Sequence, residues 1–140
     1  MNQTRTRNLS AAEKLDWLRL IRSDNVGPIT FYKLLERFGD ARSALEALPE
    51  LARRGGVGKS LKVCTLANAE KEMDALSAAG AGLVARGEPD YPPLLAHIED
   101  APPLISLLGH PHLLAKKAIA VVGARNASVN GLGFAEKIAR

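Results

Sequence analysis

Apolar positions recur three and four residues apart through the first half of the chain and gather into short continuous runs in the second. Residues 9–23, LSAAEKLDWLRLIRS, carry Leu15, Leu18 and Ile21 at helical spacing, with Trp17 and Leu20 widening the stripe, which predicts an amphipathic helix. Ser10 precedes it with Glu13 three residues on, the pattern in which two side chains satisfy otherwise unpaired amides. Asn25-Val26-Gly27-Pro28 interrupts the stripe, and Pro28 fits the first turn of a second helix reaching about Phe38, where its missing N–H costs nothing. Gly39 suits a left-handed C-terminal cap and Asp40 the next N-cap, predicting a third helix near 40–48. A further helix is predicted over 67–79, ended by Gly80 and Gly82.

After Gly82 the period changes. Leu83–Ala85, Leu104–Leu108 and Ala118–Val122 are apolar runs bounded by Gly, Pro or charge, as expected of buried strands in an α/β sheet. Between the first two, Tyr91-Pro92-Pro93 to Ala101-Pro102-Pro103 forms rigid joints around a short helix at Leu94–Ile98, with a turn expected at His110-Pro111-His112. A helix is predicted from Gly131 onward. One strand followed by a partial helix cannot cover both faces of a parallel sheet, so the α/β unit is expected to continue past Arg140. The pattern therefore divides the chain into an all-helical domain at 9–66 and the beginning of an α/β domain at 67–140, an α+β arrangement of two domains.

Composition narrows the function classes. Hydrophobic residues make up 46% and charged residues 24%, a globular balance, whereas 4% aromatics cannot supply a broad platform for stacking bases. No run approaches the roughly 20 apolar residues that cross a bilayer, and the polar start MNQTRTRN lacks the core of a signal peptide, so a cytoplasmic protein without membrane contact is expected. Cys64, the single cysteine, fits a reducing compartment and reads as a buried thiol. Residues 1–66 carry twelve Lys/Arg against seven Asp/Glu, a net of +5. Residues 67–111 carry two against seven, a net of −5, and residues 112–140 five against one, a net of +4. Two basic blocks flanking an acidic one raise the odds of a polyanionic partner.

Val26-Gly27-Pro28 before Lys33-Leu34-Leu35 is echoed by Val57-Gly58-Lys59 before Leu61-Lys62-Val63, each a glycine turn leading into a helix. Such a turn either lets backbone amides approach a phosphate, as in helix-hairpin-helix modules, or only tightens a helical bundle. The better candidate is Ala118–Gly133, AIAVVGARNASVNGLG, a hydrophobic run, a Gly/Ser/Asn/Arg loop and a helix start. Gly123, Arg125, Ser128, Gly131 and Gly133 are its candidate phosphate-binding residues, Arg125 adding a planar fork for phosphate oxygens; the alternative is a purely structural turn. Gly123 stands too far before Gly131 and Gly133 for a dinucleotide fingerprint. Gly-Lys-Ser at 58–60 lacks the opening glycine of a P-loop, whose place Arg53 takes. Arg53, Arg54, Lys59 and Lys62 instead form a secondary basic patch for a phosphate backbone, or a solvated loop. His97, His110 and His112 lack companions at metal-ligand spacing, and Ser128 has no base tied to it, so no metal, cofactor or catalytic residue is assigned and the protein is expected not to be an enzyme.

Read together, Val26-Gly27-Pro28, Leu34-Leu35-Glu36-Arg37-Phe38-Gly39, Tyr91-Pro92-Pro93-Leu94-Leu95, Ile98-Glu99-Asp100-Ala101-Pro102-Pro103-Leu104, Gly109 and Ala118–Arg125 resemble the N-terminal half of the DprA/Smf DNA-processing family. The likeness covers nearly all of the chain after residue 9. At the last motif the family pattern is V-G-S-R-x-x-S/T-x-Y-G; Arg125, Ser128 and Gly131 match, while Ala124 replaces the serine and Asn130 the tyrosine. The resemblance implies a sterile-alpha-motif-like helical domain joined to an extended Rossmann-like domain. It also implies a protein that binds single-stranded DNA, forms a homodimer through the Rossmann-like domain and loads RecA during natural transformation. The alternatives are a nucleotide-processing hydrolase of the related lysine-decarboxylase-annotated group, marked by a P-G-G-x-G-T loop, and a helical protein-interaction module.

Overall fold

For the first three helices the start signals of the sequence are the ones the backbone uses. In the computed structural model, which describes residues 7–54 and 61–140 and only the backbone of Arg54, helix α1 spans Ala11–Ile21. The Glu13 N–H donates to Ser10 Oγ at 3.2 Å and the Ser10 N–H to the Glu13 carboxylate at 2.8 Å, closing the expected capping box. Helix α2 spans Pro28–Phe38 with Pro28 in its first turn, and ends at Gly39, whose φ of +87° is open to glycine at little cost. Asp40 Oδ1 accepts the Ser43 N–H at 2.8 Å and starts α3, Ala41–Arg54. This helix runs past its expected end at 48 and through Pro49. Proline removes one ladder bond there, but Ala41, Ala44, Leu45 and Leu48 before it and Leu51 beyond it pack in one core, and packing outweighs the local preference.

That core joins the α3 residues to Leu20, Val26, Phe31 and Leu34. Trp17 meets Phe31 edge-on at 5.0 Å between ring centroids, and Phe31 meets Tyr32 at 5.4 Å. Burying each large side chain contributes about 1.5–3 kcal/mol, so a three-helix unit of this size holds itself together without wide aromatic surfaces.

The echoed glycine turn ends differently from its sequence reading. Val57-Gly58-Lys59 lies outside the described residues, and Leu61-Lys62-Val63 is not helical. The segment instead runs along the α1–α2 turn: Asp24 N–H donates to the Lys62 carbonyl at 3.1 Å, Lys62 N–H to Asp24 Oδ2 at 3.1 Å, and Cys64 N–H to Ser23 Oγ at 3.0 Å. The backbone groups of Lys62 and Cys64 are satisfied by the end of α1 and the turn after it rather than by a helix of their own. Because it is held through the backbone, the Cys64 thiol is half-buried, not buried as expected. Helix α4, Leu66–Ala78, follows, capped by Thr65, and packs on α1 with Arg22 and Glu72 2.7 Å apart. Among the described residues no strand precedes Gly82.

The second part begins with two short strands, β1 (Gly82–Ala85) and β2 (Leu104–Leu107), paired antiparallel with Val84 opposite Ile105. Helix α5, Pro93–Ala96, lies between them, and a 3-10 turn covers Pro111–Ala115 where a simple turn was expected. The third apolar run, Ala118–Val122, is not a strand: Ile119 is 87% and Val122 90% exposed. A buried parallel strand needs hydrogen-bonded neighbours and cover on both faces, and the described residues bring neither to it. Helix α6, Val129–Ala139, starts two residues before Gly131 because Ser128 caps it. The architecture is a helical N-terminal unit followed by a small antiparallel sheet.

Candidate nucleic-acid interface

The loop from Gly123 to Ser128 is set by its last residue. Ser128 is extended (φ −64°, ψ 159°), its Oγ accepts the Gly131 N–H at 3.2 Å, and its carbonyl accepts the Leu132 N–H at 3.0 Å. A Cβ on Gly131 would stand 3.4 Å from Ser128 Oγ, a van der Waals contact that the cap can accommodate. Around Gly123 and Gly133 nothing lies within 4 Å of where a Cβ would stand, so packing in the described structure does not demand glycine at either. With Ser128 Oγ already an acceptor, its hydroxyl hydrogen is left to donate outward. The Val129 and Asn130 amides of α6's first turn have no partner among the described residues. Arg125 is exposed and likewise without an ion-pair or hydrogen-bond partner there. The Ser128 hydroxyl, the two amides and the arginine are thus donors set side by side, the chemistry an anion requires.

Charge elsewhere is distributed differently from the sequence totals. In the helical unit Arg7 pairs with Glu13, Arg19 and Arg42 with Asp16, Arg22 with Glu72 and Arg53 with Glu50. The Arg7 hydrogen bond, followed by those from Ser10, pulls the Glu13 carboxyl down to about 2, and the Arg22 hydrogen bond lowers Glu72. Of the secondary patch, Arg53 sits in the last turn of α3 bound to Glu50 at 2.8 Å, and Lys62 is exposed. The side chain of Arg54 and the whole of Lys59 lie outside the described residues, so the patch as a unit is not on view. In residues 116–140, by contrast, Lys116, Lys117, Arg125 and Lys137 have no acidic partner among the described residues, and only Arg140 is paired, with Glu136.

One concave surface among the described residues lies away from this loop. A groove of about 570 Å³ runs between α1, the start of α2 and β2, walled by Leu18, Val26, Pro103 and Ile105 with Arg22 and Glu72 in its lining. Among the described residues no group of three or more His, Cys, Asp or Glu side chains is placed to hold a metal ion, and no helix is long and apolar enough to cross a membrane.

Sequence reasoning missed what the Tyr-Pro-Pro and Asp-Ala-Pro-Pro elements do. Tyr91 is buried and its hydroxyl donates to the Pro102 carbonyl at 2.7 Å; Tyr32 of α2 donates to the Ala101 carbonyl at 3.1 Å. Arg86 stacks over Tyr32 at 4.8 Å and donates to the Ala96 carbonyl at 2.7 Å. Burial raises the pKa of both tyrosines, keeping these hydroxyls as donors. These motif residues weld the sheet segment to the helical unit instead of facing a ligand. A tyrosine set just before paired prolines was the available signal.

A family model described as a DprA-like N-terminal HHH domain matches residues 11–75, and one described as DNA recombination-mediator protein A matches residues 82–140. No curated protein matches the chain. The two matches follow each other along most of the chain, over the same segments whose motifs carry the resemblance, and the protein belongs to the DprA/Smf family of DNA recombination mediators.

Proposed function

We propose that the protein is a non-enzymatic mediator that binds single-stranded DNA through its phosphates at the Gly123–Gly133 loop. The observation that carries this reading is the unpaired Arg125 beside the Ser128-capped start of α6, inside the segment matched to DNA recombination-mediator protein A. Contacts of this kind go to the backbone and carry little base information, so binding is to be sequence-tolerant. In this reading residues 67–140 open an extended Rossmann-like domain in which Ala118–Val122 becomes a paired strand, and residues 9–66 are a separate helical domain. The protein acts in the cytoplasm as a homodimer formed through the Rossmann-like domain, and loads RecA onto incoming strands during transformation.

Titrating the full-length protein with labelled single-stranded and duplex oligonucleotides at matched salt tests this. Tighter binding to the single strand is expected, and equal or tighter binding to the duplex would refute it. For the helical unit one observation favours protein interaction over DNA contact: most of the arginines among its described residues are already held in ion pairs. The hydrolase alternative has no support within residues 1–140, where no P-G-G-x-G-T loop occurs.

A further inference from the structure

The two edges of the small sheet are treated differently. Arg86 N–H donates to the Pro103 carbonyl at 2.9 Å, one step beyond the Ala85–Leu104 pair. Hydrogen-bonded pairs alternate in an antiparallel ladder, so Val84 and Gly82 also face β2, and Leu83 and Ala85 turn their backbone groups outward. Three of those four outward groups are occupied. The Leu83 carbonyl accepts from Lys14 Nζ at 2.7 Å. The Ala85 N–H donates to the Glu88 carboxylate at 2.8 Å, and the Ala85 carbonyl accepts the Glu88 N–H at 3.0 Å. Glu88 is 6% exposed, lies 3.0 Å from Lys14 Nζ and also accepts the Leu9 N–H at 2.7 Å, just before α1. On β2 the outward groups of Leu104 and Ser106 have no such cover among the described residues.

We propose that Lys14 and Glu88 are an edge lock: they take up three of the four outward hydrogen-bonding groups of β1, close that edge to strand addition, and bolt the start of α1 to the sheet. A bare edge strand is a template for pairing with another chain, and charged groups turned onto it block that pairing. A buried carboxylate and ammonium persist together only when well hydrogen-bonded. Here the bonds that hold them are the same bonds that close the strand.

Amide hydrogen exchange on the full-length protein tests the lock. In the parent, the Ala85 amide is protected although it faces away from β2. In Glu88→Ala, Ala85 protection is expected to fall by about three- to tenfold relative to Val84, the equivalent of one net hydrogen bond. Lys14→Met, which frees the Leu83 carbonyl, is expected to add concentration-dependent self-association beyond the parent's own oligomeric state in sedimentation. Should Glu88→Ala fail to fold, Glu88→Gln has one oxygen for two amides, and selective loss at Ala85 or Leu9 relative to Val84 is the expected result. A folded variant in which Ala85 stays as protected as in the parent would overturn the proposal. So would equal acceleration at Ala85 and Val84, which marks general loosening, or a Lys14→Met protein that associates no more than the parent.

Discussion

Arg125 has a guanidinium with no partner among the described residues, next to a helix start whose first amides are likewise without one there. Its planar fork can meet two phosphate oxygens at once, which a lysine cannot. Arg125→Ala in the full-length protein is therefore expected to weaken single-stranded DNA binding by about 1.5–3 kcal/mol, the range for hydrogen bonds to charged groups. The slope of log affinity against log salt should flatten by about 0.7, one phosphate contact on a single strand. An unchanged affinity and slope in a folded variant would reduce the loop to a turn. Ser128 differs in kind, because its Oγ is committed to the Gly131 N–H. Ser128→Ala should cost about 0.5–2 kcal/mol of stability as a lost N-cap, read by denaturant titration. Asn25, between α1 and α2, sits at φ +61°. Asn25→Val should destabilise by about 1–2 kcal/mol, because a β-branched side chain crowds the backbone there, whereas Asn25→Gly should be nearly neutral.

Among the elements, helices with side-chain caps could be read from the sequence and those held by distant contacts could not. Ser10, Gly39 and Asp40 act within four residues of where they stand, so their meaning is local. Leu61-Lys62-Val63 looks like a helix start after a glycine turn, but its fate is decided by Ser23 and Asp24 some forty positions earlier. Ala118–Val122 has the composition of a buried strand and is exposed, since composition names a strand's preference and not its neighbours. The candidate loop was legible for the same reason the caps were: Arg125, Ser128 and Gly131 lie in one short stretch. The weld made by Tyr32, Arg86 and Tyr91 was not, because it joins residues up to 69 positions apart. Tyr91→Phe keeps the ring in place and leaves the Pro102 carbonyl without its donor. A loss of about 0.5–1.5 kcal/mol is expected for that half-buried hydrogen bond, and a variant as stable as the parent in thermal denaturation would show the hydroxyl to be dispensable.

For the molecule as a whole, five arginines of residues 1–66 are held in ion pairs, and this gives its stability a defined response to acid. Glu13, Asp40 and Glu72 all titrate below their ordinary values, Glu13 and Glu72 chiefly through arginine hydrogen bonds and Asp40 through the Ser43 N–H. A carboxylate whose folded pKa is depressed binds protons more readily in the unfolded chain. Its contribution is therefore complete above the unfolded value, about 4.3 for Glu and about 3.9 for Asp, and is lost as pH falls through the folded one. Arg22→Gln isolates one component, because it returns Glu72 to an ordinary carboxyl. With side chains 54% and 35% exposed, this pair contributes at most about 1 kcal/mol after solvent screening, so the variant should be less stable than the parent by no more than that at pH 7. The difference should shrink with added salt and close as pH drops below the lowered Glu72 value, once both proteins carry a protonated Glu72. A difference that stayed constant from neutral to acid pH would mean that Arg22 acts through its stem in the groove beside Leu18 and Val26, and not through its charge.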